Sequence, residues 1–181
     1  MGLQAWLTER RAAILLRWHR HLLESYPQDF VRFLDQEKDR FRNPVGHVLA
    51  QAIEALWDGL LGGARATDLR TAVDGLVRVR AVQDFSASQA VGFVFGLKQI
   101  IRSQPDLQLQ DAAFVRELFE FESRIDEIGF LAFDIYMECR EKTYAIKAEE
   151  MKRRTYKLLE RMNRIYPDLD KDLSPPSDSS T

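Results

Sequence analysis

The residue types able to do chemistry are few in this chain and badly placed for it. Of the three histidines, His19 and His21 stand two apart on a helical pattern, about 200° around the axis, so they cannot ligate one ion together. His47 falls on a polar face beside Gln51 and Glu54, where a solvated imidazole is the expectation. The single cysteine, Cys139, excludes an intrachain disulfide and any multi-cysteine metal site. No Gly-x-Ser-x-Gly elbow, phosphate loop, glycine-rich dinucleotide turn or His-Glu-x-x-His helix occurs. The carboxylates are scattered over polar faces, and pairs such as Glu149-Glu150 read as solvated. No nucleophile, acid–base pair, metal or cofactor site is therefore expected, and the chain reads as non-enzymatic.

The charged residues that remain of interest are Arg78, Arg80 and Lys98, which flank apolar faces. They either snorkel to solvent or line a pocket or partner surface. The basic run Lys152-Arg153-Arg154, with Lys157, Arg161 and Arg164, is interleaved with Glu149, Glu150 and Glu160 and reads as a solvated helix face rather than an anion-binding one. A formal net charge of −2 gives no global attraction for nucleic acid, so none is expected as partner. With 45% hydrophobic and 30% charged residues the composition is that of a globular protein. Charges interrupt the apolar residues of MGLQAWLTERRAAILLRWHR, unlike a signal peptide. No segment reaches the roughly 18 apolar residues of a membrane span. A cytoplasmic location is the expectation.

The elements that must position these residues are all helical. Leu3, Trp6, Leu7, Ile14, Leu15, Trp18 and Leu22 recur at steps of three and four and predict one long helix from Leu3 to about Tyr26, stopped by Pro27. A short helix is expected around Asp29–Gln36. Asn43-Pro44 reads as N-cap and first position of a helix whose apolar face is Val45, Val48, Leu49, Ala52, Ile53, Leu56, Trp57, Leu60 and Leu61. Gly62-Gly63 ends it. Thr67 or Asp68 caps the next helix, with Leu69, Ala72, Val73, Leu76 and Val79 inward and Asp74 four residues before Arg78.

Ser86 and Gln89 form a capping-box pattern, with Asp84 also read as structural. The helix they open, from Ala90 to Leu97, is apolar nearly all round and so central, and Gly92 and Gly96 leave a groove for a neighbouring helix. From near Asp111 a helical pattern meets no proline until Pro167. It predicts either a kink near Gly129 or a helix that leaves the domain, with a packed half (Phe114, Leu118, Phe121, Ile125, Ile128, Phe130, Phe133) and a projecting half. In the latter, Tyr144, Ala148, Met151, Thr155, Leu158, Met162 and Ile165 follow heptad steps over about three repeats. Glu149–Arg153 and Glu150–Arg154 add outer pairs. A parallel pairing would set Lys147 against Lys152, so this coil is weak alone. The polar, proline-containing residues 167–181 are expected to be disordered.

The stretch Arg78 to Lys98, RVRAVQDFSASQAVGFVFGLK, resembles the N-terminal domain of RsbR/RsbRD-type co-antagonists, the sensory modules of stressosome-like bacterial signalling systems. Ala87 stands where that family has a proline between the two serines, and the capping logic survives the change. The resemblance covers about Leu3 to Phe133. It implies an all-helical, dimeric, globin-like sensing domain without haem, from which a long helix leads to a STAS domain that contacts a switch kinase. No STAS sequence lies within these residues, so a separate signalling or regulatory protein is the expected partner. Thr155 is a heptad position with no phosphorylation motif.

The expected architecture is therefore all-α: a globin-like or orthogonal helical bundle over 1–140, a projecting amphipathic helix over 141–166 and a tail over 167–181. The expected function is signalling by homodimerisation, with Tyr144, Met151, Leu158, Met162 and Ile165 as seam. The alternative is a haem-type gas sensor or carrier of a small apolar ligand, with a pocket between Val91, Phe93 and Phe95 on the central helix and Phe114 and Phe121 on the last.

Overall fold

Every element of the computed structural model is a helix, and the model describes residues 2–36, 44–62, 66–83, 85–107, 109 and 111–166. In order these are α1 (Leu3–Glu9), α2 (Arg11–Leu23), α3 (Gln28–Gln36), α4 (Pro44–Leu60), α5 (Ala66–Val82), α6 (Ala87–Arg102) and α7 (Ala112–Ile165). Among the described residues there is no strand, and no helix is long and apolar enough to cross a membrane. The chain divides into two units, Met1–Arg140 and Glu141–Thr181. The tail over 167–181 lies outside the described residues, as do Asn43, Gly63 and Asp84.

The long first helix predicted from periodicity is two helices, α1 and α2, separated at Arg10. The apolar period runs through the break, which is why the sequence hides it. Arg10 has φ −100° and ψ 5°. Its guanidinium donates to the Trp6 carbonyl at 3.3 Å, lies 4.7 Å from the Trp6 ring centroid and bonds Asp106. Those contacts hold the turn. Leu3, Trp6, Leu7, Ile14, Trp18 and Leu22 are nonetheless buried as the pattern requires.

α4 buries Leu49, Ile53, Leu56, Trp57 and Leu60, but Val48, placed on the apolar face from sequence, is exposed. Gly62 closes the segment with φ +84°, a conformation that side-chain-bearing residues rarely adopt. Thr67 and Asp68, expected as caps, lie within α5. The start of α6 is the capping box expected: the Gln89 amide donates to Ser86 Oγ at 3.3 Å and the Ser86 amide to Gln89 Oε1 at 3.0 Å. Asp111 Oδ1 accepts from the amides of Ala113 and Phe114 and caps α7 in the same way.

α7 continues through Gly129 without interruption. The glycine serves close approach instead of a break: a Cβ there would stand 2.3 Å from the Phe95 ring. Gly96 does the same for the His21 ring of α2, whereas nothing lies within 4 Å of a Cβ built at Gly92. Of the expected glycine groove, one end holds a side chain. Phe114 packs edge-on against Trp6 and Phe121 against Trp57, with centroids 5.8 and 6.4 Å apart. Arg102 grips the buried Glu122 through two bonds of 2.7 and 2.5 Å. Phe130 and Phe133, expected in the packed half, are exposed, because the inward stripe of α7 is Ile125, Ile128, Ala132, Ile135, Tyr136 and Cys139.

The capping box gives a direct check. Ser86→Ala lowers the unfolding free energy by about 1 kcal/mol in urea titration, while Ser88→Ala in the first turn leaves it nearly unchanged. Equal effects would mean that the box does not hold α6.

Candidate functional site

Arg78, Arg80 and Lys98 sit in three different settings. Arg78 points outward and donates from Nε to Asp74 Oδ2 at 2.5 Å, the pair expected from their spacing. Lys98 Nζ bonds Asp126 Oδ1 at 2.6 Å and so joins α6 to α7. Arg80 is wholly buried.

Its burial follows from helix register. The inward stripe of α5 is Val73, Leu76, Val77, Arg80 and Ala81, spaced at three and four residues. A stripe drawn through apolar residues alone, as in the sequence reading, picks Val79 and passes Arg80 by. Once inside, the guanidinium is held by polar and aromatic neighbours. Nη2 donates to Ser25 Oγ at 2.6 Å and to the Gln89 carbonyl at 2.7 Å. Cζ lies 4.5 Å from the ring centroid of Phe85, 5.0 Å from that of Tyr26 and 5.7 Å from that of Phe93. Such ring faces attract a cation that has lost its water.

The rings are themselves fixed. Tyr26 stacks on Phe30 at 5.1 Å and meets Phe85 edge-on at 5.0 Å. The Trp18 indole donates to the Phe93 carbonyl at 2.8 Å, and the Tyr136 hydroxyl to the Phe85 carbonyl at 2.7 Å. One side chain thus draws together the end of α2, α5, the α5–α6 turn and the start of α6, with α7 attached through Tyr136.

Burial pulls the Arg80 guanidinium down from its ordinary value, with the Tyr26 phenol opposing. A guanidinium remains charged even so. Burial pushes the Tyr26 phenol up, and the Arg80 charge works against that rise. The Tyr26 hydroxyl faces the Arg80 guanidinium as its hydrogen-bond partner, and Arg80 Nε and Nη1 find no better-aligned acceptor. A cavity of about 420 Å³ opens beside Tyr26, bounded by Ser25, Tyr26, Pro27, Phe30, Gln83, Phe85 and Gln89, and Arg80 does not line it. Ser25, Tyr26 and Phe85 escaped the sequence reading. Their signal was indirect: Tyr26 precedes the proline that ends α2, and Phe85 precedes the cap of α6.

The histidines are dispersed. His21 Nδ1 lies 2.9 Å from Glu24 Oε2. His19 borders a second cavity, of about 560 Å³, with Arg20, Leu23 and Tyr26. His47 is half-buried rather than solvated, and its Nε2 has no hydrogen-bond partner. Among the described residues no group of three His, Cys, Asp or Glu is placed to hold a metal ion. Phe93, Phe114 and Phe121, expected around an apolar pocket, are buried against Trp18, Trp6 and Trp57, and Phe95 rests over Gly129.

The seam residues of the Glu141–Thr181 unit are all exposed, from 49% at Met162 to 69% at Met151, with Tyr144, Leu158 and Ile165 between. Arg154 pairs with Glu150 as expected, but Arg153 also takes Glu150 rather than Glu149.

The sequence matches the family model of the RsbT co-antagonist protein rsbRD N-terminal domain over residues 12–151. A protein of Archaeoglobus fulgidus described only as uncharacterized is 26% identical over 145 residues, 77% of this chain and 83% of that one. No solved structure matches.

Two substitutions separate the buried arginine from its exposed neighbour. Arg80→Lys keeps the charge but loses the planar fork, and costs about 2 kcal/mol in chemical denaturation; Arg78→Ala leaves the denaturation midpoint in place. Similar shifts for the two would contradict the burial of Arg80. Tyr26 gives a pH signature. Its folded value is raised above the unfolded one near 10, so its contribution to stability is whole below about pH 10 and is lost as pH rises through the folded value. Tyr26→Phe accordingly flattens the alkaline decline of stability, and an unchanged slope would mean that the phenol is not desolvated.

Proposed function

We propose a function from one premise: the chain belongs to the RsbT co-antagonist rsbRD N-terminal domain family, a stressosome-related signalling domain. On that premise the protein is a non-enzymatic, cytoplasmic regulatory module. It works as a homodimer through the helix over residues 141–166 and passes its state to a separate signalling protein.

The observation that carries this reading is the row of uncovered apolar residues on α7. Tyr144, Met151, Leu158 and Ile165 stand at intervals of seven, and all are more than half exposed. A sevenfold interval is the register of helices wound on one another, and a monomer leaves that surface in water at about 25 cal/mol for each Å². Lys147 facing Lys152 across a parallel pair weakens the association, and a marginal seam is one that a small free-energy change can open or close. Arg78 and Lys98, already engaged with carboxylates, support the domain rather than a partner contact.

The test is hydrodynamic. The wild-type chain sediments as a dimer, and Met151→Glu combined with Leu158→Glu yields monomers with the helical circular dichroism of the bundle retained. A double variant that stays dimeric removes these residues from the interface.

A further inference from the structure

Charge is not evenly answered over the surface of the bundle. Arg10, Arg78, Lys98 and Arg102 each hold a carboxylate. Arg17 and Arg20, three residues apart on α2, hold none. Among the described residues the Arg17 guanidinium bonds only Ser103 Oγ, at 3.2 Å, and that of Arg20 bonds nothing. Like charges at this spacing on a helix repel, and the carbonyl end of α2 favours a cation at Arg20 without supplying its counter-ion. The fold therefore keeps an unfavourable pair that an anion set between the two would relieve.

Both arginines line a cleft of about 380 Å³ between α2 and α6, together with His21, Gln99, Ile100 and Ser103. Its walls are set by the packing of those two helices. Gly96 leaves the gap in which the His21 ring is seated, and His21 Nδ1 lies 2.9 Å from Glu24 Oε2. Ser103 Oγ donates to the Ile100 carbonyl at 2.9 Å and accepts from Arg17, which fixes the head of that arginine at the rim. Among the described residues Glu24 is the one carboxylate of the wall, and it is engaged by His21. Two guanidinium charges thus face a single carboxylate that is already taken. The side-chain amide of Gln99 adds a donor with no partner among the described residues. We infer that this cleft binds a small phosphate monoester, its phosphoryl oxygens accepting from Arg17, Arg20 and Gln99 and its organic body filling the remaining space along α6. A dianion matches two guanidiniums, and three terminal oxygens serve two planar forks and an amide at once, where a carboxylate brings two oxygens and one charge. The volume lies in the range of small-molecule sites and exceeds what inorganic phosphate fills. This site goes beyond the signalling reading and involves none of the seam residues, so the two stand or fall separately.

Ribose 5-phosphate and glycerol 3-phosphate are the probes, with ribose, glycerol and inorganic phosphate beside them. In nuclear magnetic resonance titrations of the isotope-labelled full chain at fixed ionic strength, at least one ester moves the amide signals of Gly96, Gln99 and Ser103 to saturation as a single site. The two uncharged polyols leave those signals in place, and inorganic phosphate binds more weakly than the ester. Arg17→Gln and Arg20→Gln remove exposed charges, so their thermal melts stay those of the wild type, and each weakens the ester about tenfold. Arg116→Gln, at an exposed arginine outside the cleft, leaves the affinity unchanged. Failure of both esters to saturate these amides, equal affinity for inorganic phosphate, wild-type affinity in the Arg17 and Arg20 variants, or an equal loss in all three variants would each overturn the site.

Discussion

The domain is organised around a charge taken out of water. Burying a guanidinium is costly unless its hydrogens and its field are answered, and the Arg80 neighbourhood answers them only in part. Two bonds from Nη2 reach α2's end and the first turn of α6, and three ring faces surround the rest. These partners come from two stretches of chain, Ser25–Tyr26 and Phe85–Phe93, with Arg80 itself on α5, so the cation is satisfied only when all of them are assembled. A greasy residue at position 80 would pack in many ways. An arginine with directed bonds admits few, which makes the node a source of uniqueness for the fold rather than of raw stability.

Around this node the packing is conventional. Trp6, Trp18 and Trp57 fill the interior and meet phenylalanines from α6 and α7. The Arg102–Glu122 and Lys98–Asp126 pairs clamp α6 to α7. Of the two, the first carries more, since Glu122 is buried and its carboxylate would be stranded without the fork of Arg102. The signature stretch from Arg78 to Lys98 thus has a structural sense. It encodes the exposed and buried arginines of α5, the ring that covers the cation, the cap of α6 and the lysine that reaches α7.

The helical class, the capping box and most of the core were legible because they rest on local rules: apolar period, cap chemistry and proline stops. What escaped were departures decided by tertiary contacts. The break at Arg10 is tied to Asp106, nearly a hundred residues away, and leaves the apolar period of α1 and α2 intact. Phe130 and Phe133 are large and apolar, yet the register of α7 turns them outward. Arg80 was recognised as a candidate but not as buried, since a search for apolar stripes discards a charged residue that occupies one. A heptad pattern is visible because it lies in one helix; the Arg80 cage was not, because it closes only when Tyr26, from a distant segment, meets Phe85 and Phe93.

The contact between Phe95 and Gly129 limits how α7 can move against α6. The ring occupies the place where a side chain at position 129 would begin. A slide by one turn would bring Ile125 or Phe133 to that place, and neither leaves room for the ring. The two helices are therefore keyed like a tooth in a notch, and intermediate offsets are barred by sterics. Motion along this contact requires Phe95 to leave its notch, so α6 and α7 meet here in discrete offsets and not along a continuum.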